Sequence, residues 1–545
     1  MKKIFNYNYS IISILVIELW ISCLSYARAE QIHGTGLRDM DASEYEKLHQ
    51  RKVIRVKPNV IANERKKLER VQSRSDVLES FDFVDQAKTL EDEIQVEVGG
   101  EPPQYFSPNF PENVQTSLRT TSGLESYQLN SALPTKVDNS LLAFFPPIGN
   151  QGQEGACASF ATTYYQLSHE TCLVRQCNNK TGNNTIFSPK WTYNMVNGGG
   201  DNGSTFSDAY SVLSSHGAIS IAKFPYVAGD YLTWDMNPND WKEAISFRSN
   251  PMVYLSSIDT PQGLANLKQL LANGHVLVYA TYINSWVMST IGTNPTPGVL
   301  SPYAGQQAAM YMDGTDGGHA MTIVGYDDSV WIDINGNGKV DSGEKGAFKI
   351  ANSWGSQWGN DGFVWIAYDA MGAKSTVDNA PAALKRGSIF WNASVYQMTA
   401  QTSYVPKVLA QFTISTSDRG AMALQLGTSP NGSKAPTQVW TPGMMNSQGG
   451  HYGFSGTSKA VSGTFYLDFT DLVAANTVSS GSAAGITPVM NYYLLAKNEN
   501  AGTSLLVKDF RLMNVQSGAI TKFKGKLPQS INPSIGGLSI LFKLN

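Results

Sequence analysis

The stretch "GNQGQEGACASFATTYYQ", Gly149 to Gln166, constrains the fold more than any other, because it sets a cysteine between a glycine-rich turn and a helical repeat. After Cys157 the apolar residues Phe160, Tyr164 and Leu167 fall at helical spacing, which predicts an amphipathic helix with Cys157 near its N-terminal end. The positive end of a helix favours thiolate over thiol, the form in which sulfur attacks. Gly152 and Gly155 permit close approach of the backbone to a bound chain. Gln151 can aim its amide at a developing oxyanion beside the Cys157 N–H. Alone, the stretch leaves three readings open: a buried structural thiol, half of a disulfide, or a nucleophile.

The other cysteines narrow that choice. Lys2 and Lys3 precede the apolar runs "IISILVI" and "LWISCL" and then Ala27-Arg28-Ala29, which predicts a signal peptide over residues 1–29 and an extracellular or periplasmic protein. Glu18 is unusual inside such an apolar region. Cleavage after Ala29 removes Cys23 and leaves an odd count, so one thiol stays free. Cys172 and Cys177 stand five positions apart in "CLVRQCNNKTGNN", close enough to form a disulfide in an oxidising compartment. A metal site using them with His169 lacks a fourth ligand nearby. By subtraction Cys157 is the free thiol. A chain of 545 residues with net charge −3 suffices for two or three cores and is too neutral for a nucleic-acid partner. After signal removal no membrane association is expected.

Four regions follow from the pattern. Residues 30–132 are the most charged, with a capped helix in "DASEYEKLHQ", a strand in "KVIRVKPN", a polar helix in "ANERKKLERVQSR" and an extended linker in "GGEPPQYFSPNFPEN". Residues 133–395 mix helical and strand patterns. From 396 to 545 short alternating runs such as "LAQFTIST", "GTFYLDF" and "NYYLLAK" alternate with Gly, Ser and Asn turns, which predicts an all-β, sandwich-like domain.

A reactive thiol needs a base, and the base needs an orienter. His319 follows Gly317 and Gly318 in "GTDGGHAMTIVGYDD", at the start of an apolar strand where its ring can face an open cleft. Asn352 stands in "FKIANSWGSQWG" at the end of another strand, and its amide can fix the imidazole tautomer under the cover of Trp354 and Trp358. His216 and His275 read as ordinary core histidines. "NQGQEGACASFA", "GGHAMTIVGYD" and "NSWGSQWG", in this order, resemble the papain-like cysteine peptidases over about Leu133 to Trp391. The resemblance implies an α+β fold of two lobes, helical on the left and β-rich on the right, with a cleft between. It also implies Cys157 as nucleophile, His319 as acid and base, Asn352 as orienter and Gln151 as oxyanion donor. Gly203 and Ser204, in "DNGSTF", and Gly318 are the expected substrate-binding positions. Two departures stand out. Glu154 occupies the place of a second cysteine three residues before the nucleophile, and Ala158 that of a tryptophan after it.

Inside the same region "DINGNGKVDSGE", residues 333–344, carries the ligand order of an EF-hand loop. Asp333, Asn335, Asn337, the Lys339 carbonyl, Asp341 and Glu344 are the expected calcium ligands, with Gly336 at the sharp turn. Since strands rather than helices flank it, a structural clip is expected rather than a sensor. No organic cofactor is expected. The function expected is a secreted endopeptidase made as a zymogen, acting on protein or peptide substrates and restrained by its own N-terminal pro-region. The alternatives are an adhesin or glycan-binding protein, with a cell-surface or glycan ligand on the C-terminal domain, and a thiol transpeptidase or deamidase with the same triad.

Overall fold

The helix that opens at Cys157 is covered on every side. Cys157–Ser159 is α-helical, Phe160–Leu167 takes π-helical geometry, and Ser168–Arg175 returns to α. The sequence pattern predicts a half-exposed element, yet each residue from Glu154 to Val174 is buried. Several polar side chains on its second face are buried with hydrogen-bond partners. The Gln166 amide donates to the Val276 and Tyr396 carbonyls at 2.9 and 3.1 Å and accepts from the Tyr210 hydroxyl at 2.6 Å. Thr163 and Thr192 share a hydroxyl–hydroxyl bond of 2.8 Å.

The computed structural model describes residues 33–38, 54–56, 94–96, 133–381, 388–430, 433, 435–446, 448–479, 490–500, 502–531 and 540–544. The expected signal peptide, the two N-terminal helices and the proline-rich linker lie outside the described residues. Among the described residues no helix is long and apolar enough to cross a membrane.

The Cys157 helix packs against a nine-stranded sheet in the order Val253–Leu255, Val395–Gln397, Leu277–Tyr282, Gly318–Trp331, Lys345–Ala351, Phe363–Ala367, Gln307–Met312, Trp286–Thr290. Lys136–Asp138 pairs with the far end of Gly318–Trp331. The pairings are antiparallel apart from Phe363–Ala367 with Gln307–Met312. Gly318–Trp331 is the spine of the sheet, and its residues from His319 to Asp327 are all buried. That explains why "HAMTIVGY" reads as nearly continuous apolar sequence rather than a clean alternation. The register sets Thr322 opposite Ala351. Asn352 therefore follows opposite Met321, on the face that His319 shares with Met321.

The alternating runs after residue 400 form two antiparallel sheets. One is ordered Val461–Asp468, Val408–Thr416, Leu505–Asn514, Ile520–Lys522, with Gln529–Ile531 also on Leu505–Asn514. The other is ordered Gln438–Trp440, Met422–Pro430, Met490–Asn498, Ile540–Leu544. These sheets do not keep a core to themselves. Their buried side chains run on into those of the helical lobe as one apolar cluster. Trp241 meets the Phe465 ring edge-on at 4.8 Å, and Trp234 lies 5.6 Å from Phe454. In the N-terminal region Ile54–Val56, from "KVIRVKPN", pairs with Ile94–Val96 beside Val253–Leu255, at the sheet edge.

Because one core joins both parts, they should unfold together. Phe465→Ala leaves a cavity under Trp241 and should cost about 3–5 kcal/mol. Calorimetry should then show a single transition at lower temperature; two separated transitions in the parental chain would contradict a shared core.

Candidate active site

The helix start at Cys157 packs on the strand start at His319. The Cys157 sulfur receives the backbone N–H of Ala320, the residue after His319. His319 is fully buried, and its Nε2 bonds Asn352 Oδ1 at 2.8 Å. The same Oδ1 accepts the Ser353 N–H at 2.8 Å, so the amide cannot turn its oxygen elsewhere without losing two bonds. His319 Nδ1 has no hydrogen-bond partner among the described residues. Nε2 therefore carries the ring proton and Nδ1 keeps its lone pair. The Trp354 ring stands 4.8 Å from the imidazole, with Trp358 edge-on to Trp354 at 5.5 Å, and the pair screens the His–Asn bond.

Gln151 is held from three directions. Its N–H donates to the Ser353 carbonyl at 2.8 Å, and its Oε1 accepts the Ser353 hydroxyl at 2.5 Å. Its Nε2 donates to the Glu154 carbonyl at 2.7 Å. Glu154 anchors the turn. Its buried carboxylate accepts the Tyr226 hydroxyl at 2.6 Å and the Gly229 N–H, and burial raises its pKa. Asp201 holds the next residue, accepting the Gly155 N–H at 2.8 Å and the Tyr193 hydroxyl at 2.5 Å. No pattern in the sequence points to Ser353, Tyr226, Asp201 or Tyr193, because their partners lie far along the chain or act through backbone atoms.

A short piece of the N-terminal region lies in the cleft between helix and sheet. Gly34 N–H donates to the Gly152 carbonyl at 3.0 Å, and the Gly34 carbonyl accepts from Gln151 Nε2 at 3.0 Å and Trp354 Nε1 at 3.2 Å. The His33 ring stacks on Trp354 at 4.7 Å. The Gly36 N–H points at the Cys157 sulfur. Leu37 N–H donates to the Gly318 carbonyl at 3.1 Å. Ser204 grips the segment twice, its N–H donating to Gly36 O at 3.0 Å and its carbonyl accepting from Arg38 N–H at 3.1 Å. Gly203 has φ +87°, and a Cβ there would sit 1.7 Å from the Gly36 oxygen. The pairing expected of Gly203 is thus made by Ser204, while Gly203 gives the clearance. The strand from "KVIRVKPN" sits at the sheet edge, and it is His33–Arg38 that lies along the cleft.

Under this cover both reacting groups are neutral. Burial pushes the Cys157 thiol up to about 11 and takes His319 down to about 4, against the bond from Asn352, which raises it, and with a smaller lowering by His33. The helix N-terminus alone does not prevail over complete burial.

Cys172 and Cys177 form a disulfide with Cα atoms 4.5 Å apart, and Cys157 is free. In the 333–344 loop Gly336 takes φ +73°, and the Asp333 carboxylate accepts the Asn337 and Gly338 N–H groups at 3.0 and 2.8 Å. Asn335 and Asn337 amides donate to Asp341 and hold it below the usual carboxylate range. Buried Glu344 accepts from Trp331 Nε1, Ile334 N–H and Asp341 N–H. The Lys339 N–H donates to Asn337 Oδ1 at 2.7 Å. Among the described residues no three His, Cys, Asp or Glu side chains converge as a ready metal cage.

Residues 133–383 match the family model "Papain family cysteine protease". No curated protein matches the chain. Among solved structures, xylellain, a cysteine protease from Xylella fastidiosa, is 21% identical, with 49% of this chain and 87% of that chain covered and a TM-score of 0.30. The digestive procathepsin L2 proteinase of the Tenebrio molitor larval midgut is 17% identical, with 70% and 99% covered and a TM-score of 0.34. The bromelain protease of Ananas comosus, in complex with the E64 inhibitor, is 16% identical, with 49% and 99% covered and a TM-score of 0.31.

The covered, neutral thiol should alkylate slowly in the intact chain at neutral pH, its rate rising only as the pH nears about 11. Cutting away the segment before Leu133 should raise the iodoacetamide rate at pH 7 by about tenfold or more. Equal rates before and after cutting would show that His33–Arg38 does not shield Cys157.

Proposed function

We propose that the chain, whose residues 133–383 match the papain family cysteine protease model, is an exported cysteine endopeptidase held inactive by its own N-terminal residues. The observation that carries the assignment of roles is the His319 ring, bonded through Nε2 to Asn352 Oδ1, with Nδ1 without a hydrogen-bond partner among the described residues. Once the cleft is open, Nδ1 takes the Cys157 proton and the sulfur attacks a peptide carbonyl. The Gln151 amide and the Cys157 N–H receive the oxyanion. The amine leaves with the proton from Nδ1. A water then gives its proton to Nδ1 and cleaves the thioester, restoring the thiol. Asn352 moves no proton; it keeps Nε2 protonated and the ring oriented.

The zymogen reading rests on what His33–Arg38 presents to the thiol. The segment is held over the thiol by backbone bonds to Gly152, Ser204 and Gly318, and its Gly36 N–H is among the groups that act on the buried sulfur. Export is favoured by the Lys2-to-Ala29 pattern, and the Cys172–Cys177 bridge suits an oxidising compartment. Hydrolysis is preferred to transpeptidation or deamidation, since the family match describes proteases. A glycan or cell-surface ligand for the C-terminal sheets has no such support.

Cys157→Ala and His319→Ala should each abolish peptide hydrolysis without lowering the melting temperature much, whereas Asn352→Ala should leave a measurable fraction. Turnover near the parental rate in Cys157→Ala would end the assignment of the nucleophile.

The 333–344 loop is proposed to bind calcium as a clip between the strand of His319 and the strand before Asn352. The donor set suits a hard cation: Asp333, Asp341 and Glu344 carboxylates, Asn335 and Asn337 amide oxygens and the Lys339 carbonyl lie on one turn bent at Gly336. Binding would require Asp333 and Glu344 to exchange backbone N–H groups, and Asp341 the Asn335 and Asn337 side-chain amides, for the ion. Millimolar calcium should then raise the melting temperature, and Asp333→Ala should remove that rise. A melting temperature indifferent to calcium and to chelator would leave the loop as a self-bonded turn.

A further inference from the structure

The loop Asn197–Ser204 forms one wall of the cleft and has no strand or helix of its own. It turns through left-handed backbone at Gly198, Gly199 and Gly203, with φ of +71°, +78° and +87°. Such a glycine-rich loop loses much entropy on ordering and needs an external anchor. Yet its last residue, Ser204, must hold both backbone groups in register to pair with a chain in the cleft.

The anchor comes from the C-terminal sheets. Gly198 N–H donates to the Gln448 carbonyl at 2.8 Å. Gly199 and Gly450 meet backbone to backbone: a Cβ on Gly450, itself at φ +76°, would lie 2.2 Å from Gly199 Cα. The Gln448 side chain also favours the charged form of the Asp208 carboxylate, in the first turn of helix Phe206–Ser215, which follows Ser204. One residue thus ties down both flanks of the substrate-pairing position. The Gln448 loop is itself pinned by Arg419, which is 1% exposed. The Arg419 side chain donates from Nε to Gly449 O at 2.7 Å and from Nη1 to Gly453 O at 3.2 Å, with the guanidinium 4.8 Å from the Trp234 ring. A buried guanidinium spent on carbonyls fixes the path of that backbone.

We propose that the C-terminal β region is a positioning element of the peptidase: through Gln448 and Gly450 it sets the Asn197–Ser204 loop at the height where Ser204 pairs with a peptide backbone. This rests on the peptidase reading above. Gln448 and Gly450 touch neither sulfur nor imidazole, so their effect falls on peptide binding rather than on the reacting pair.

The test uses the full chain, folded and then cut to free the cleft, with Gly450→Ala, Gln448→Ala and, as a control, Lys508→Ala, whose side chain bonds Ser462 in the exposed face of a C-terminal sheet. Two probes are compared: iodoacetamide, which needs only Cys157 and His319, and a peptide substrate extended on both sides of the scissile bond. Loss of one to two backbone bonds to the peptide should raise KM about tenfold in Gly450→Ala and less in Gln448→Ala, with kcat and the alkylation rate little changed. Lys508→Ala should match the parental enzyme. An unchanged KM in folded Gly450→Ala overturns the proposal, as does a parallel fall in alkylation and kcat, which would place the effect on the nucleophile. If Gly450→Ala does not fold, Gln448→Ala alone decides, by the same split. If the parental chain binds the peptide without cutting it, the peptidase reading fails, and the Kd of the peptide for the Cys157→Ala chain then decides in place of KM.

Discussion

The catalytic region is referred to one contact, that between the start of the Cys157 helix and the start of the His319 strand. Sulfur and imidazole come from residues 162 positions apart in number, and neither element alone can bring them together. The contact is fixed because the facing stretches are buried: Glu154 to Val174 through the turn and helix, and His319 to Asp327 on the strand. Sliding either would move a row of packed side chains out of register, and close-packed interiors resist that. Asn352 needs no further device. The pairing of Thr322 with Ala351 delivers it to the face of His319.

That burial has an electrical cost. A thiolate–imidazolium pair needs water or dipoles near it, and His33–Arg38 excludes water while presenting the Gly36 N–H. The segment is bound chiefly through backbone atoms, by Gly152, Ser204 and Gly318, together with stacking of His33 on Trp354. Gly34 and Gly36 run so close to the turn before Cys157 that a Cβ would lie 2.0 Å from the Glu154 oxygen or 2.3 Å from Gly155 Cα, so the segment must be bare at both positions.

Where the resemblance leads one to expect a cysteine, Glu154 performs a tethering role by other chemistry. A carboxylate accepting Tyr226 and Gly229 fixes the turn through hydrogen bonds, and Asp201 does the same for Gly155. These bonds strengthen in a buried site and are lost if either partner is removed.

The sequence by itself determined where to look for the chemistry. Cys157, His319, Asn352 and Gln151 stand out as candidates because each sits in a short motif whose residue types serve a reaction, and the alternating runs after residue 400 were legible because strand periodicity is local. The Cys172–Cys177 bridge was legible from spacing together with the export signal. Tertiary structure decided what depends on distant surfaces. The Cys157 helix reads as amphipathic, but Tyr210, Thr192 and the Val276 carbonyl bury its polar face, and periodicity cannot report partners it does not contain. Nor could alternation in the C-terminal runs reveal that Phe465 packs on Trp241 across a shared core. An apolar stripe states that it must be covered, not by what; only the folded chain supplies the cover.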